Sequence, residues 1–146
     1  MTKLKINAGF AEMEFAPTKQ DRHAAWQLYV ELLTRIATQP LDPDHGDEKT
    51  VLNSVYNLFP LTRAVLKDSG VDCMEFAKIA IVVLNQVVRP FTAEWHGRSL
   101  HGDLQEEGAR EEFRVALAAL QADLRIYTQM LAEMAGVEKD LIGLAP

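Results

Sequence analysis

The sequence predicts an all-α fold, a single four-helix bundle with an N-terminal extended arm, and three observations lead to that prediction. First, large apolar residues near the C-terminus advance by alternating steps of four and three, the spacing of one face of a long α-helix. Second, three earlier segments carry similar apolar faces, and such faces must be buried against one another. Third, a chain of 146 residues suits one domain with one core. The C-terminal stripe consists of Phe113, Leu117, Leu120, Leu124, Tyr127, Leu131 and Met134.

The extended arm is predicted to span residues 1–17, and the bundle domain residues 18–146. Over residues 3–10 polar and apolar residues alternate, which is typical of a strand. After Ala11 the alternation changes phase. Because a lone strand has no partner in an otherwise helical chain, we expect the arm to lie along the bundle or to pair with another copy. The candidate interface residues of the arm are Phe10, Met13 and Phe15.

Helix one is predicted over residues 19–38. Thr18 followed by Asp21 resembles a capping box, in which each residue satisfies a backbone N–H of the other. The helix is expected to end before Pro40, because the residue that precedes a proline avoids the α conformation. Two prolines and a glycine then predict a turn-rich loop over residues 40–47.

Helix two is predicted to start at Asp47 or Glu48 and to be interrupted. Pro60 lies inside its apolar run and has no backbone N–H to donate, so we expect a kink or a short break near Asn57. Gly70 suits the left-handed position that closes a helix.

Helix three is the most apolar segment and is predicted to be the most buried. Asp72 and Glu75 form a second capping-box pattern at its start, and Pro90 predicts a kinked final turn. Residues 97–108 are predicted to connect it to helix four, which spans about residues 109–134. Four helices with short connections favour an up-down-up-down order.

Composition and charge narrow the classes of function. The formal net charge is −6 and the isoelectric point about 5.2, which argues against a broad electrostatic surface for nucleic acid or an anionic membrane. The only cysteine, Cys73, excludes an intramolecular disulfide and fits the reducing cytoplasm. We expect no export and no membrane partner, because the sequence shows neither a signal-peptide pattern nor an apolar run long enough to span a bilayer.

The segment 89–96 carries the most suggestive chemistry. Arg89 and His96 are separated by six residues, and this spacing resembles the Arg-x4-6-His motif of HEPN ribonucleases, helical bundles that usually act as dimers. The resemblance covers this segment and the number of helices. It implies that Arg89 clamps the scissile phosphate of RNA and that His96 is the catalytic acid or base, without a metal. Proton transfer and stabilisation of phosphoryl charge are what such a cleavage requires.

The same segment also has a purely structural interpretation. Phe91 and Trp95 are four residues apart and fit the packing of a core. Arg89 would then cap carbonyls or pair with Glu94, and His96 would lie at a helix C-terminus, where a cation is favoured.

A metal site is the next hypothesis, because several polar residues of the predicted loops have side chains that bind zinc or other transition metals. No pair among them has the His-x3-His spacing of a helix face, and the acidic loop after helix one departs from the EF-hand order. A solvated polar loop explains them better, so we predict no metal and no cofactor. These residues are Asp42, Asp44, His45, His96, His101 and Asp103.

The function predicted from the sequence is a non-enzymatic protein–protein interaction or accessory module in the cytoplasm. Trp26, Val30 and Ala37 lie away from the main stripe of helix one and indicate a second apolar face, which would bind a protein partner or another copy. The alternative is the HEPN-like ribonuclease, with RNA as its substrate. A third hypothesis is a small-molecule sensor with a pocket between the helices.

Overall fold

The computed structural model describes residues 4–8, 11–35, 41 and 47–144, with residues 4–8 and 11–13 described by their backbone. The described chain is predominantly helical, as predicted. Its helices are α1 (Lys19–Thr34), α2 (Glu48–Tyr56), α3 (Leu58–Ser69), α4 (Met74–Val82), α5 (Arg89–Leu100) and α6 (Glu107–Ala135). Its strands are β1 (Leu4–Ala8) and β2 (Ala11–Phe15). A π-helical turn covers Val83–Val88, and 3-10 turns cover Gly70–Cys73, Asp103–Gln105 and Leu141–Leu144.

The N-terminal arm is extended as predicted, but it is not a lone strand. β1 and β2 pair with each other in an antiparallel hairpin, with Leu4 opposite Phe15 and Ala8 opposite Ala11. The change of phase at Ala11 marks the start of the second strand, so the arm supplies its own pairing partner. β1 lies against α6, which anchors the hairpin to the helices.

Helix one begins as predicted. The capping box of Thr18 and Asp21 is present in both directions, because each side chain accepts a hydrogen bond from the other residue's backbone N–H. α1 ends at Thr34, four residues earlier than expected, since Arg35 already has an extended backbone. The rest of the predicted helix, residues 36–38, lies outside the described residues.

The predicted break of helix two is confirmed at Asn57, which separates α2 from α3. The break places Pro60 in the first turn of α3. Backbone N–H groups in a first turn have no acceptor within their own helix, so the missing N–H of the proline costs little there. Gly70 ends α3 with a φ of +70°, a conformation that other residues rarely adopt.

The predicted capping box of Asp72 and Glu75 is wrong. α4 starts at Met74, directly after a 3-10 turn that contains Asp72. The Phe76 N–H of its first turn donates instead to Oδ1 of Asp21, at 3.0 Å, and Glu75 accepts from the Ala16 N–H at 2.9 Å. A carboxylate from α1, distant in sequence, therefore caps this helix.

A π-helical turn joins α4 to α5 and sets which side chains face inward. Val83 and Val88 are both buried, and the five-residue step between them is one π turn. The Arg89 N–H donates to the Leu84 carbonyl, five residues earlier, and Pro90 has no N–H to donate. The helix continues to Leu100, so the predicted connection at residues 97–108 is shorter than expected.

The long apolar stripe is confirmed as the centre of the core. All seven of its predicted residues are buried, and α6 packs along α1 over much of its length. Gly136 closes α6 with a φ of +76°, in the left-handed conformation. The up-down-up-down order of four helices stays a prediction. Among the described residues, no helix combines the length and the apolar character needed to cross a membrane.

Replacing each of two buried tyrosines by phenylalanine is expected to change the stability of the fold in different ways. The Tyr29 hydroxyl donates to Asp140 and accepts from the Leu141 N–H, both at 2.6 Å, whereas the Tyr127 hydroxyl is buried without a partner among the described residues. Tyr29→Phe is expected to cost about 1 kcal/mol of unfolding free energy, and Tyr127→Phe to be neutral or to stabilise by up to about 1 kcal/mol. Urea denaturation of the two variants measures both changes. Equal losses of unfolding free energy would contradict the hydrogen bonds assigned to the Tyr29 hydroxyl.

The same contacts predict how stability depends on pH. Burial, with the Asp140 contact next, raises the pKa of Tyr29 above its ordinary value. A phenol that titrates at a higher pH in the folded state stabilises the fold below its unfolded pKa, and this contribution is lost as the pH rises through the folded pKa. Wild type should therefore lose its stability advantage over Tyr29→Phe only in strongly alkaline solution.

Candidate functional site

The outer surface of α1 forms one wall of an open apolar groove, which we call the Trp26 groove. Its volume is about 380 Å³ and α3 forms the other wall. Trp26 and Val30 are 44% and 38% exposed and lie one helical turn apart on the same groove wall, so together they form a contiguous apolar patch. The groove is lined by Trp26, Gln27, Val30, Glu31, Leu61 and Val65.

The opposite face of α1 explains why Trp26 points outward. Ala25, Leu28 and Tyr29 of α1 are buried in the core, at most 1% exposed. An α-helix has 3.6 residues per turn, so burial of these positions turns Trp26 and Val30 toward solvent. The Trp26 and Tyr29 ring centroids are 5.8 Å apart, which braces the indole against the helix. The second apolar face predicted for helix one is thus present at Trp26 and Val30, while Ala37 lies outside the described residues.

The predicted interface residues of the arm have different positions. Phe10 lies outside the described residues, and Met13 pairs with Ile6 in the hairpin. Phe15 is 1% exposed and belongs to the core of the chain, so it is not available to a partner. Of the predicted interface residues whose side chains are described, only Trp26 is exposed.

The predicted catalytic pair lies on α5, and both residues are exposed. His96 is seven positions after Arg89, a rise of about 10 Å along the helix, and lies on nearly the same face. The Arg89 guanidinium donates to Oδ1 of Asn85 at 3.2 Å and lies 4.8 Å above the Phe59 ring. The His96 ring lies 5.9 Å from the Tyr56 ring. The two side chains therefore contact different neighbours rather than each other.

In the structural interpretation of this segment, the predicted core packing of the aromatic residues is confirmed, whereas the predicted contacts of the charged residues are wrong. Phe91 and Trp95 are buried against α6, as core packing predicts. Glu94 pairs with Arg98 rather than with Arg89, at 3.9 Å. His96 is not at a helix C-terminus, because α5 continues to Leu100.

Sequence reasoning missed a cluster on the surface of α2, α3 and α5, which we call the Arg–aromatic face. Arg63 and Arg89 both lie over the Phe59 ring, at 5.8 and 4.8 Å. The Tyr56 ring continues the row, 5.9 Å from Phe59. Neither arginine forms an ion pair with a carboxylate of the described chain. The face consists of Tyr56, Phe59, Arg63, Arg89 and His96.

A second open groove, of about 450 Å³, lies between α5 and α6 and carries three carboxylates. Arg98 covers its Trp95 floor, with the guanidinium 4.3 Å above the indole, and bonds Glu112 at 2.7 Å. Hydrogen bonds to Glu112 and Asp103 raise the pKa of Arg98. This groove already contains its own cation, which neutralises part of its charge. It is lined by Glu94, Trp95, Gly108, Glu111, Glu112, Val115 and Ala116.

The candidate metal ligands do not gather into a site where they are described. No group of three or more His, Cys, Asp or Glu side chains suited to a metal occurs within residues 14–35 and 47–144. Asp103 is bonded to Arg98 at 3.0 Å. Asp42, Asp44 and His45 lie outside the described residues.

Comparison of the chain with models of known protein families, with curated proteins and with solved structures finds no match.

Proposed function

We propose that this chain is a non-enzymatic helical interaction module that associates with a second copy through the Trp26 groove. The observation that carries the proposal is the exposure of Trp26 and Val30 on the wall of an apolar groove. Tryptophan is enriched among the residues that contribute most to binding energy. The same patch offers both a protruding indole and a groove to receive one, which a two-fold symmetric interface requires.

Trp26→Asp tests the role of the groove. The substitution places a charge in an apolar interface, so self-association is expected to weaken by about 30-fold or more. Val115→Asp is the matched control, because Val115 is 74% exposed on α6 and lies outside the groove. Light scattering coupled to size-exclusion chromatography measures the mass of each variant up to about 100 μM protein. A wild-type mass of one chain throughout this range would contradict the proposal.

The remaining features of the proposal concern architecture and location. We propose that the helices form an up-down-up-down four-helix arrangement, supported by the burial of the α6 stripe against α1. We place the protein in the cytoplasm, since Cys73 is a buried free thiol of the kind that persists under reducing conditions. Burial raises the pKa of this thiol and makes it a poor nucleophile.

The second candidate function is the HEPN-like ribonuclease. The observation in its favour is that Arg89 and His96 are both exposed on one face of α5. It predicts cleavage of single-stranded RNA in the presence of EDTA, abolished by His96→Ala without loss of helical circular dichroism. Gln105→Ala, an exposed substitution outside the segment, is the control. Equal cleavage by wild type and His96→Ala would remove His96 from the reaction.

A further inference from the structure

The Arg–aromatic face concentrates positive charge in a protein that is acidic overall. Residues 49–67 and 76–93 contain five basic residues and no aspartate or glutamate. The formal net charge of the whole chain is nevertheless −6. Acidic residues of the same helices, Glu48, Asp68 and Glu75, offset part of this charge, and Lys78 is paired with Glu75. The local excess of positive charge is that of Arg63 and Arg89, which have no carboxylate partner within the described chain. The five basic residues are Lys49, Arg63, Lys67, Lys78 and Arg89.

Within this region the arginines are held in place without carboxylates. Phe59 is only 5% exposed, so its ring is a fixed support that both Arg63 and Arg89 contact. The donors of Arg89 that do bond within the chain are directed to the neutral Asn85 amide. Since neither guanidinium charge is neutralised by a carboxylate of the described chain, each arginine can contact an anionic group.

Tyr56 adds an aromatic surface beside these cations. Its ring is 51% exposed and is supported on two sides, by Phe59 and by His96, each at a centroid distance of 5.9 Å. Lys49 lies seven residues earlier on the same face of α2. An exposed ring flanked by cations matches the pattern of proteins that bind single strands, in which bases stack on aromatics and phosphates contact basic groups. An acidic peptide would use the cations but not the ring.

We propose that the Arg–aromatic face binds single-stranded nucleic acid, with a base stacked on Tyr56 and phosphates beside Arg63 and Arg89. This binding does not depend on the association through the Trp26 groove, because no residue that lines the groove belongs to the face. It also requires no cleavage. A strand of DNA, which lacks the 2′-hydroxyl needed for cleavage, is expected to bind.

The test is fluorescence anisotropy of a labelled oligothymidine of about 12 nucleotides, within the site sizes common for single strands, measured in EDTA at several salt concentrations. Tyr56→Ala is expected to weaken binding by about 5- to 150-fold, the effect of losing one stacked base, and Tyr56→Phe to retain it. Arg63→Ala should reduce the slope of log affinity against log salt by about 0.7, the value for one phosphate contact on a single strand.

Matched controls make each outcome decisive. Arg125→Ala removes an exposed arginine of α6 and should change neither the affinity nor the salt slope. Circular dichroism verifies that Tyr56→Ala, a substitution at a half-exposed side chain, keeps its helices. The proposal is overturned if wild type does not bind the oligonucleotide at low salt. It is also overturned if polyglutamate competes as well as the strand does and Tyr56→Ala binds like wild type, since the face would then recognise negative charge alone.

Discussion

Asp21→Ala is expected to lower the free energy of unfolding by about 2–4 kcal/mol, combining the loss of a helix cap with that of a buried acceptor. The Asp21 side chain is fully buried and caps two helices at once. One oxygen accepts from the Thr18 N–H at 2.8 Å and from the Thr18 hydroxyl at 3.0 Å, at the start of α1. The other accepts from the Phe76 N–H at 3.0 Å, in the first turn of α4. Without the carboxylate, the Phe76 N–H is buried without an acceptor.

Urea denaturation followed by circular dichroism measures this loss. Asp21→Asn should recover only part of it, because one end of an amide is a donor and must face one of the two N–H groups. Glu133→Ala, which removes an exposed carboxylate of α6, should change the unfolding free energy by less than about 0.5 kcal/mol. A cost below about 1 kcal/mol for Asp21→Ala would show that α4 does not depend on this distant cap.

Phe113→Ala is expected to cost about 3–5 kcal/mol, the usual loss for removing a buried phenyl ring. Phe113 has no exposed surface and lies where α5 meets α6. Its ring contacts Phe91 at 5.5 Å and meets Trp95 edge-on at 5.2 Å between centroids. Its removal leaves a cavity and deletes both aromatic contacts, each of which contributes about 0.5–1.5 kcal/mol beyond burial.

Thermal denaturation distinguishes this core role from a surface role. Phe113→Leu should cost less than Phe113→Ala, because leucine fills part of the space. Val115→Ala, two residues further along α6 and 74% exposed, is the control and should leave the melting temperature nearly unchanged. Equal melting temperatures for Phe113→Ala and wild type would mean that α5 is not held to α6 through this ring.

The sequence predicted some features of the candidate surfaces and gave no signal for others. The second apolar face of α1 followed from the position of Trp26 in the helical repeat, although its groove requires α3 as the opposite wall. The absence of a carboxylate partner for Arg63 and Arg89 within the described chain depends on tertiary contacts, which net charge does not report. The stacking of Arg63 and Arg89 on one ring has no sequence signal, because the two arginines come from different helices.

The sequence by itself determined the helical character, the α6 stripe, the start of α1 at Thr18 and the break before Pro60. Each of these depends on residues within about one helical turn of one another, where backbone geometry fixes the neighbours. Only the tertiary structure decided that the arm pairs with itself, that Phe15 is buried and that Asp21 caps α4. Asp21 and Phe76 are separated by 55 residues. A contact over such a separation forms because the helices pack in one particular arrangement, which local patterns do not specify.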